Sequence, residues 1–302
     1  MFKSKNSMSR ALVRRETTAG YLFLLPSLFF FVTFVLYPMF LCIYTSFFDS
    51  NMGKNAVDVF VGLGNYKELF RDKLFLGALK NTVIIVVVAV PTVCAFSLWV
   101  ATAIYDMKPA LTSAFRCIFY LPVVTGSVAV TVVWKWMYNN RFGVFNYLFK
   151  SLGIIDQNIN WLGDARFALW CIILILFTTS VGQPIVLYVS ALGNVDHSLV
   201  EAAQVDGANR RQVFWKIKWA QIMPTTLYIL IITTINSFQC FALIQLLTSG
   251  GPTHSTDTIM YYIYYTAFKL YRYGYGNAMG VVLMIIIAVL SAVQFKLGQQ
   301  SD

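Results

Sequence analysis

The chain is 302 residues long, 58% hydrophobic and 16% aromatic but only 12% charged, with a formal net charge of +10 and a mean hydropathy of +0.65. A water-soluble domain of this length carries about 25% charged residues, so this one has too little polar surface to face water on every side and belongs in a bilayer. Its positive charge is dispersed rather than clustered, which fits membrane topology and attraction to anionic lipid and argues against nucleic acid as a partner.

Crossing roughly 30 Å of hydrocarbon takes about 20 apolar residues at 1.5 Å per residue. Six stretches meet that length: Tyr21–Phe48, Leu76–Tyr105, Ala114–Tyr138, Phe167–Leu192, Ile222–Leu247 and Tyr275–Phe295. None alternates polar with apolar residues as a barrel strand would, so the expected fold is all-α, a polytopic membrane protein of six helices. Pro26, Pro38, Pro91, Pro122, Pro184 and Pro224 fall inside these runs as tolerable kinks. The first segment, residues 1–20, holds Lys3, Lys5, Arg10, Arg14 and Arg15 against Glu16 alone and is expected to stay cytoplasmic. The apolar run from Tyr21 is too long for a cleaved signal and lacks a small-x-small site, so it reads as the first span. Six spans return the C-terminus to the same side, placing 106–113, 193–221 and 296–302 inside. The loop at 49–75, with four basic and four acidic residues, suits the outside. The expected organisation is a cytoplasmic tail at 1–20, one membrane domain at 21–298 and a short tail at 299–302.

Cys42, Cys94, Cys117, Cys171 and Cys240 fall within or beside spans without C-x-x-C spacing and read as small packing residues. His197 and His254 are expected on opposite sides of the membrane, so no metal site is supported. There is no G-x-x-x-x-G-K-[ST] to cradle phosphates and no G-x-S-x-G elbow, which leaves no expected cofactor and no enzymatic chemistry of the chain's own.

Between the fourth and fifth spans lies a charged interval. Ser198 and Glu201 have the spacing of a capping box, Leu199 to Asp206 is expected as a short helix, and Gly207 can end it in the left-handed conformation. Asn209 and Gln212 repeat the capping spacing and start a second helix carrying Arg210, Arg211, Lys216 and Lys218. An interfacial elbow touching headgroups accounts for the charges. It does not account for a whole helix–turn–helix placed there, which a docking surface for a soluble partner does.

Glu201-Ala202-Ala203, Gly207 ahead of Ile217, and Pro224 resemble the EAA loop of permease subunits in bacterial binding-protein-dependent ABC importers. Gly62-Leu63 with Asn65-Tyr66, Asn81-Thr82, Trp134-Lys135-Trp136, Phe142-Gly143 with Asn146, Trp161-Leu162, and Leu247–Pro252 followed by Tyr261–Phe268 resemble the carbohydrate type, in particular the first permease of the maltose and glycerol-phosphate class. The likeness covers roughly residues 15–298. One departure is Trp219-Ala220, where the family pattern continues Leu-Pro. Either Pro224 supplies the break instead or the helix runs on into the membrane. The resemblance implies a coupling loop at about 196–221 in which Glu201, Ala202, Ala203, Asp206, Gly207 and Arg210 meet a dimer of separate ATP-hydrolysing subunits. It also implies a second homologous permease, an extracytoplasmic solute-binding protein landing on the loops at 49–75 and 139–166, and a bacterial cell membrane location with both termini cytoplasmic.

Thr179, Gln183, Thr233, Asn236 and Gln239 are the polar residues of spans four and five. Thr179 and Gln183 lie four apart, and Thr233, Asn236 and Gln239 step by three along one face. Together they suit a neutral, hydroxyl-rich solute, an oligosaccharide by family likeness; individually each can serve an inter-helix hydrogen bond, typically about 0.6 kcal/mol. Gly276-x-x-x-Gly280 is a weak packing motif. A six-span secondary carrier or channel is the alternative, but no Asp, Glu or His sits well inside a span and no internal repeat is visible.

Overall fold

The computed structural model describes residues 3–50 and 58–299. Residues 1–2 of the expected tail at 1–20, residues 300–302 of that at 299–302, and residues 51–57 of the first outer loop lie outside the described residues. Hydrocarbon offers backbone groups no hydrogen-bond partner, so apolar runs of this length must satisfy themselves as helices. Five runs are long and apolar enough to cross: Val13–Thr45, Lys73–Tyr105, Ala168–Gly193, Arg210–Leu247 and Tyr273–Gly298. A bent pair, Pro109–Val124 with Ser127–Met137, makes a sixth when counted as one.

Helix α1 (Lys3–Phe31) passes through a π-turn at Val32–Leu36 into α2 (Tyr37–Thr45). The widened turn precedes Pro38, which has no N–H for the carbonyl four residues back, and the Tyr37 amide instead reaches the Val32 carbonyl. Strand β1 (Phe48–Asp49) pairs antiparallel with β2 (Val59–Phe60), and α3 (Gly64–Leu69) follows. Buried Asn65 donates to the Ser46 and Phe48 carbonyls at 2.8 and 2.9 Å, pinning the end of the first span.

Helix α4 (Lys73–Tyr105) is the central column. After it come α5 (Pro109–Val124) and α6 (Ser127–Met137), set at 95° to one another. This corrects the expectation of one straight span over Ala114–Tyr138. Thr125 and Gly126 are both extended, with ψ of 125 and 143, and the pair follows Pro122, whose missing N–H weakens the last turn of α5. The loop beyond forms another helix, α7 (Val144–Ser151). The fourth span is two helices, α8 (Ala168–Ser180) and α9 (Gly182–Gly193), broken where Pro184 leaves the Ser180 carbonyl without its donor. Ser97 of α4 donates its hydroxyl to the Val181 carbonyl at the break.

Next come α10 (His197–Val205) and α11 (Arg210–Val213), then a π-turn at Phe214–Lys218 and α12 (Trp219–Phe238). The chain is helical without interruption from Arg210 to Phe238, so Trp219-Ala220 in place of Leu-Pro lets the helix run straight into the membrane, and Pro224 lies inside α12 without ending it. The fifth span then breaks at Gln239 and Cys240 before α13 (Ala242–Leu247). An unexpected helix, α14 (Ile259–Tyr264), precedes the last span, α15 (Tyr273–Gln299).

One core lies among α4, α9 and α12, with Val93, Ala101, Ile185, Tyr188, Ile222 and Ile229 buried. Without a hydrophobic driving force between lipid-bathed helices, close van der Waals fit has to do the work. Gly182 shows how close: a Cβ there would collide with the Phe119 carbonyl of α5. The α1–α2 run stands apart, unburied over its apolar length, with α2 alongside α15. Of the cysteines, Cys94, Cys171 and Cys240 are buried as packing residues, whereas Cys117 is exposed.

At the end opposite α10, α4 is latched by its own N-cap. Asp72 accepts from the Leu74 amide at 2.8 Å and from the hydroxyls of Tyr262 and Tyr275 at 2.7 and 2.9 Å, joining α4 to α14 and α15. Burial pushes this carboxyl up, but the two hydroxyls and the Leu74 and Phe75 amides together outweigh it and hold the pKa below the ordinary carboxylate value of 3.8. The latch is therefore complete above that value and is lost as pH falls through the lower folded one. Asp72→Asn should destabilise the detergent-solubilised protein by about 2 kcal/mol in thermal unfolding. The gap to wild type should be constant near neutral pH and close below about pH 4.

Candidate functional site

The interval 196–218 forms a knob at the end of the bundle. Its first helix is capped by Asp196, whose carboxylate accepts from the Ser198 amide at 2.8 Å and the Ser198 hydroxyl at 2.7 Å. Those contacts, the hydroxyl first, hold the Asp196 carboxyl below its usual range. The capping box expected from Ser198 and Glu201 is thus absent: Asp196 sits two residues before Ser198 and takes the helix start, so α10 runs His197–Val205 rather than Leu199–Asp206. The D-x-S spelling of an Asx turn was the available signal. The Glu201 side chain is left exposed and has no hydrogen-bond partner among the described residues.

The turn matches expectation. Gly207 has φ of +82, its amide donates to the Gln204 carbonyl at 3.0 Å, and the Ala208 amide donates to the Ala203 carbonyl at 2.9 Å. This is the paired closure of a Schellman turn. A Cβ on Gly207 would meet nothing within 4 Å, so the glycine answers to backbone conformation and not to crowding within this chain. The second helix opens with the expected box: Asn209 accepts from the Gln212 amide at 2.9 Å, and the Gln212 side chain accepts from the Asn209 amide at 2.8 Å.

Three contacts fix the knob to the bundle. Val213 is buried, the Asp196 amide donates to the Gln221 side chain at 2.9 Å, and the Lys218 ammonium lies 5.4 Å from the Tyr105 ring centre. Between knob and bundle is a hollow of about 390 Å³ lined by Tyr105, Asp106, His197, Gln204, Arg210 and Lys218. Toward water the knob presents Glu201, Ala202, Asp206, Gly207 and Arg210, with Ala203 half-buried. Val205 at the tip is 88% exposed, an apolar side chain turned to the surface.

The membrane polar residues come together in part. Thr179, Gln183, Thr233 and Asn236 line one cavity of about 140 Å³ with Pro184 and Tyr228, midway along the α8–α9 run. Gln239 is not among them: it caps the end of α12, beyond the cavity, because the helix stops at Phe238. Thr179 and Gln183 stand one turn apart as expected, across an irregularity at Val181 whose own backbone stays helical. The Thr179 hydroxyl donates to the Ile175 and Leu176 carbonyls at 3.0 and 3.1 Å, leaving only acceptor capacity. Gln183 and Asn236 are exposed and have no hydrogen-bond partner among the described residues. Two carboxamides in the lining of one narrow concavity, with no partner among the described residues, can grip donors and acceptors of a neutral solute.

Residues 61–299 match the family described as binding-protein-dependent transport system inner membrane component. The chain is 33% identical over 288 residues to the "Probable ABC transporter permease protein YesP" of Bacillus subtilis, covering 94% of this chain and 91% of that one. It is 32% identical to the lactose transport system permease protein LacF of Rhizobium radiobacter, covering 94% and 95%. Its fold is that of a chain in the crystal structure of a bacterial alginate ABC transporter in complex with an alginate pentasaccharide-bound periplasmic protein, with a TM-score of 0.80 at 24% identity and 93% of each chain covered.

The left-handed turn yields a direct test. Gly207→Val should speed hydrogen exchange of the Ala208 amide about fivefold, the equivalent of roughly 1 kcal/mol of strain. Gly207→Asn should stay within about twofold, because Asn visits that conformation with little strain.

Proposed function

The chain belongs to the family of binding-protein-dependent transport system inner membrane components, and we propose that it serves as the permease subunit of an ATP-driven importer for a neutral carbohydrate of oligosaccharide size. The observation that carries this reading is a water-facing knob joined by unbroken helix to one wall of a membrane cavity. Arg210 stands at the start of that helical path, and Thr233 and Asn236 lie on it, roughly 40 Å away at 1.5 Å per residue. The facing wall, with Thr179 and Gln183, belongs to α8 and α9. A force that tilts the knob therefore moves one wall against the other and alternates access to the cavity.

The chain holds no nucleotide-binding motif, so ATP hydrolysis belongs to separate subunits. A dimer of them seats on the knob through Glu201, Ala202, Ala203, Asp206, Gly207 and Arg210. A second, homologous permease completes the pathway, with α1 and α2 free to contact it. A solute-binding protein outside the membrane delivers the sugar to the loops at 49–75 and 139–166. Both termini lie in the cytoplasm of a bacterial cell, on the knob side. Neutral substrate suits the cavity because its lining offers amides and hydroxyls and no carboxylate.

Glu201→Lys reverses the charge offered to the ATPase and leaves the turn intact, whereas Gly207→Trp obstructs a surface with free space around it. Both variants should insert normally yet lose co-purifying ATPase and solute-stimulated hydrolysis in proteoliposomes. Wild-type stimulation in both would reduce the knob to an interfacial elbow.

The cavity gives a second test. Gln183→Leu combined with Asn236→Leu should lower uptake about tenfold, as expected for two hydrogen bonds to solute of about 0.5–1.5 kcal/mol each, with assembled complex unchanged. Gln239→Leu, outside the cavity, should have a much smaller effect. Equal uptake in all variants would leave these side chains as packing groups.

A further inference from the structure

Helix α7 lies at the end of the bundle opposite the knob and is apolar on both sides, for two different reasons. Its inner side is accounted for. Phe145 stacks on Tyr138 with ring centres 4.8 Å apart, and Phe149 lies 5.5 Å from Trp161. Between them, buried Asn146 donates to the Asn140 and Ile159 carbonyls and accepts from the Ile159 amide at 3.1 Å and the Trp161 indole at 3.0 Å. These contacts fix the rotation of α7 about its own axis.

The outer side is uncovered among the described residues. Val144, Tyr147, Leu148 and Leu152 recur at helical spacing, with Tyr147 77% and Leu152 62% exposed, and Ile154 extends the patch at 63%. This surface continues one already on the membrane: Val128, Val132 and Trp136, four residues apart along α6, are all exposed. Trp136 reaches Phe142, at the start of the patch, with ring centres 6.4 Å apart. Around the patch stand Lys135, Arg141 and Lys150, all exposed and none in an ion pair among the described residues. The nearby Asp164 is already committed to Arg166 at 2.7 Å.

We infer that α7 is an interfacial helix whose outer face seats in the headgroup region of the bilayer opposite the knob, with Lys135, Arg141 and Lys150 drawing anionic phospholipid to it. An apolar stripe with aromatic residues and a rim of cations is the pattern of a helix that lies in the interface plane. The α6 stripe running into it sets the depth, since α7 begins where the apolar run ends. Lys135 and Arg141 also line, with Asn139 and Asn160, a concavity of about 580 Å³ that offers amides to a headgroup phosphate. Seated so, α7 fixes the height of the pathway's far end against the membrane while the knob moves at the near one.

The test places Leu148→Cys, Leu152→Cys and Asp156→Cys singly in a background with Cys42→Ser and Cys117→Ser, each labelled with an environment-sensitive fluorophore in the assembled importer in lipid nanodiscs. At 148 and 152, quenching by a nitroxide near the top of the lipid acyl chain should exceed quenching by aqueous iodide at least threefold, with the order reversed at 156. If 148 and 152 are as open to iodide as 156, the face is bare to water and the inference fails. It fails equally if both positions are shielded from both quenchers, because a protein then covers them. A variant with Lys135→Gln, Arg141→Gln and Lys150→Gln should lose the preference of spin-labelled phosphatidylglycerol over phosphatidylcholine at position 148 by about fivefold or more. An unchanged preference would overturn the assignment of these cations to lipid.

Discussion

Unbroken helix from Arg210 to Phe238 is the constraint on which the rest of this molecule depends. A helix resists bending because each turn is hydrogen-bonded to the next, and in hydrocarbon those bonds have no aqueous alternative. Where the family pattern places a proline, this chain has Trp219 and Ala220, so the second helix of the knob and one wall of the membrane cavity share one continuous helix. The knob is held against α4 and α12 by buried Val213, by Gln221 and by the Lys218–Tyr105 contact, which leaves little freedom for it to swing alone.

The opposite end is built by a different device. Carboxamides reach out from helices to hold loop carbonyls: Asn65 on Ser46 and Phe48, Asn81 on Ser255 and Asp257, Asn146 on Asn140 and Ile159 at either side of α7. Each satisfies backbone groups that no regular element could. Asn65, Asn81 and Asn146, all within the motifs that carry the family likeness, thus serve as loop anchors.

What the sequence made legible follows from which signals are strong. Long apolar runs, Gly207 as a left-handed stop and the Asn209–Gln212 box all carried through because each rests on a local rule. The bend between α5 and α6 did not, because both halves have the same apolar composition and only two extended residues separate them. Thr179 and Gln183 meet Thr233 and Asn236 as a set, because four- and three-residue spacings each keep polar groups on one face of a helix. Helices α7 and α14 are too short for hydropathy to register. Asp196 displaced Ser198 as cap because two helix-starting residues two positions apart compete, and spacing alone does not rank them.

The π-turn at Phe214–Lys218 changes the length of that helical path more than its facing. There the Trp219 amide reaches the Phe214 carbonyl five residues back, so the helix holds one residue more than an α-turn would. The extra residue is taken up within that one wider turn, so the helix on either side keeps nearly the facing of a regular α-helix. Deleting one residue there would restore ordinary geometry and leave Glu201 pointing much as before, whereas the same deletion in regular helix would turn the knob about 100° around the axis. The turn is thus a place in the helical path where a change of length brings little change of direction.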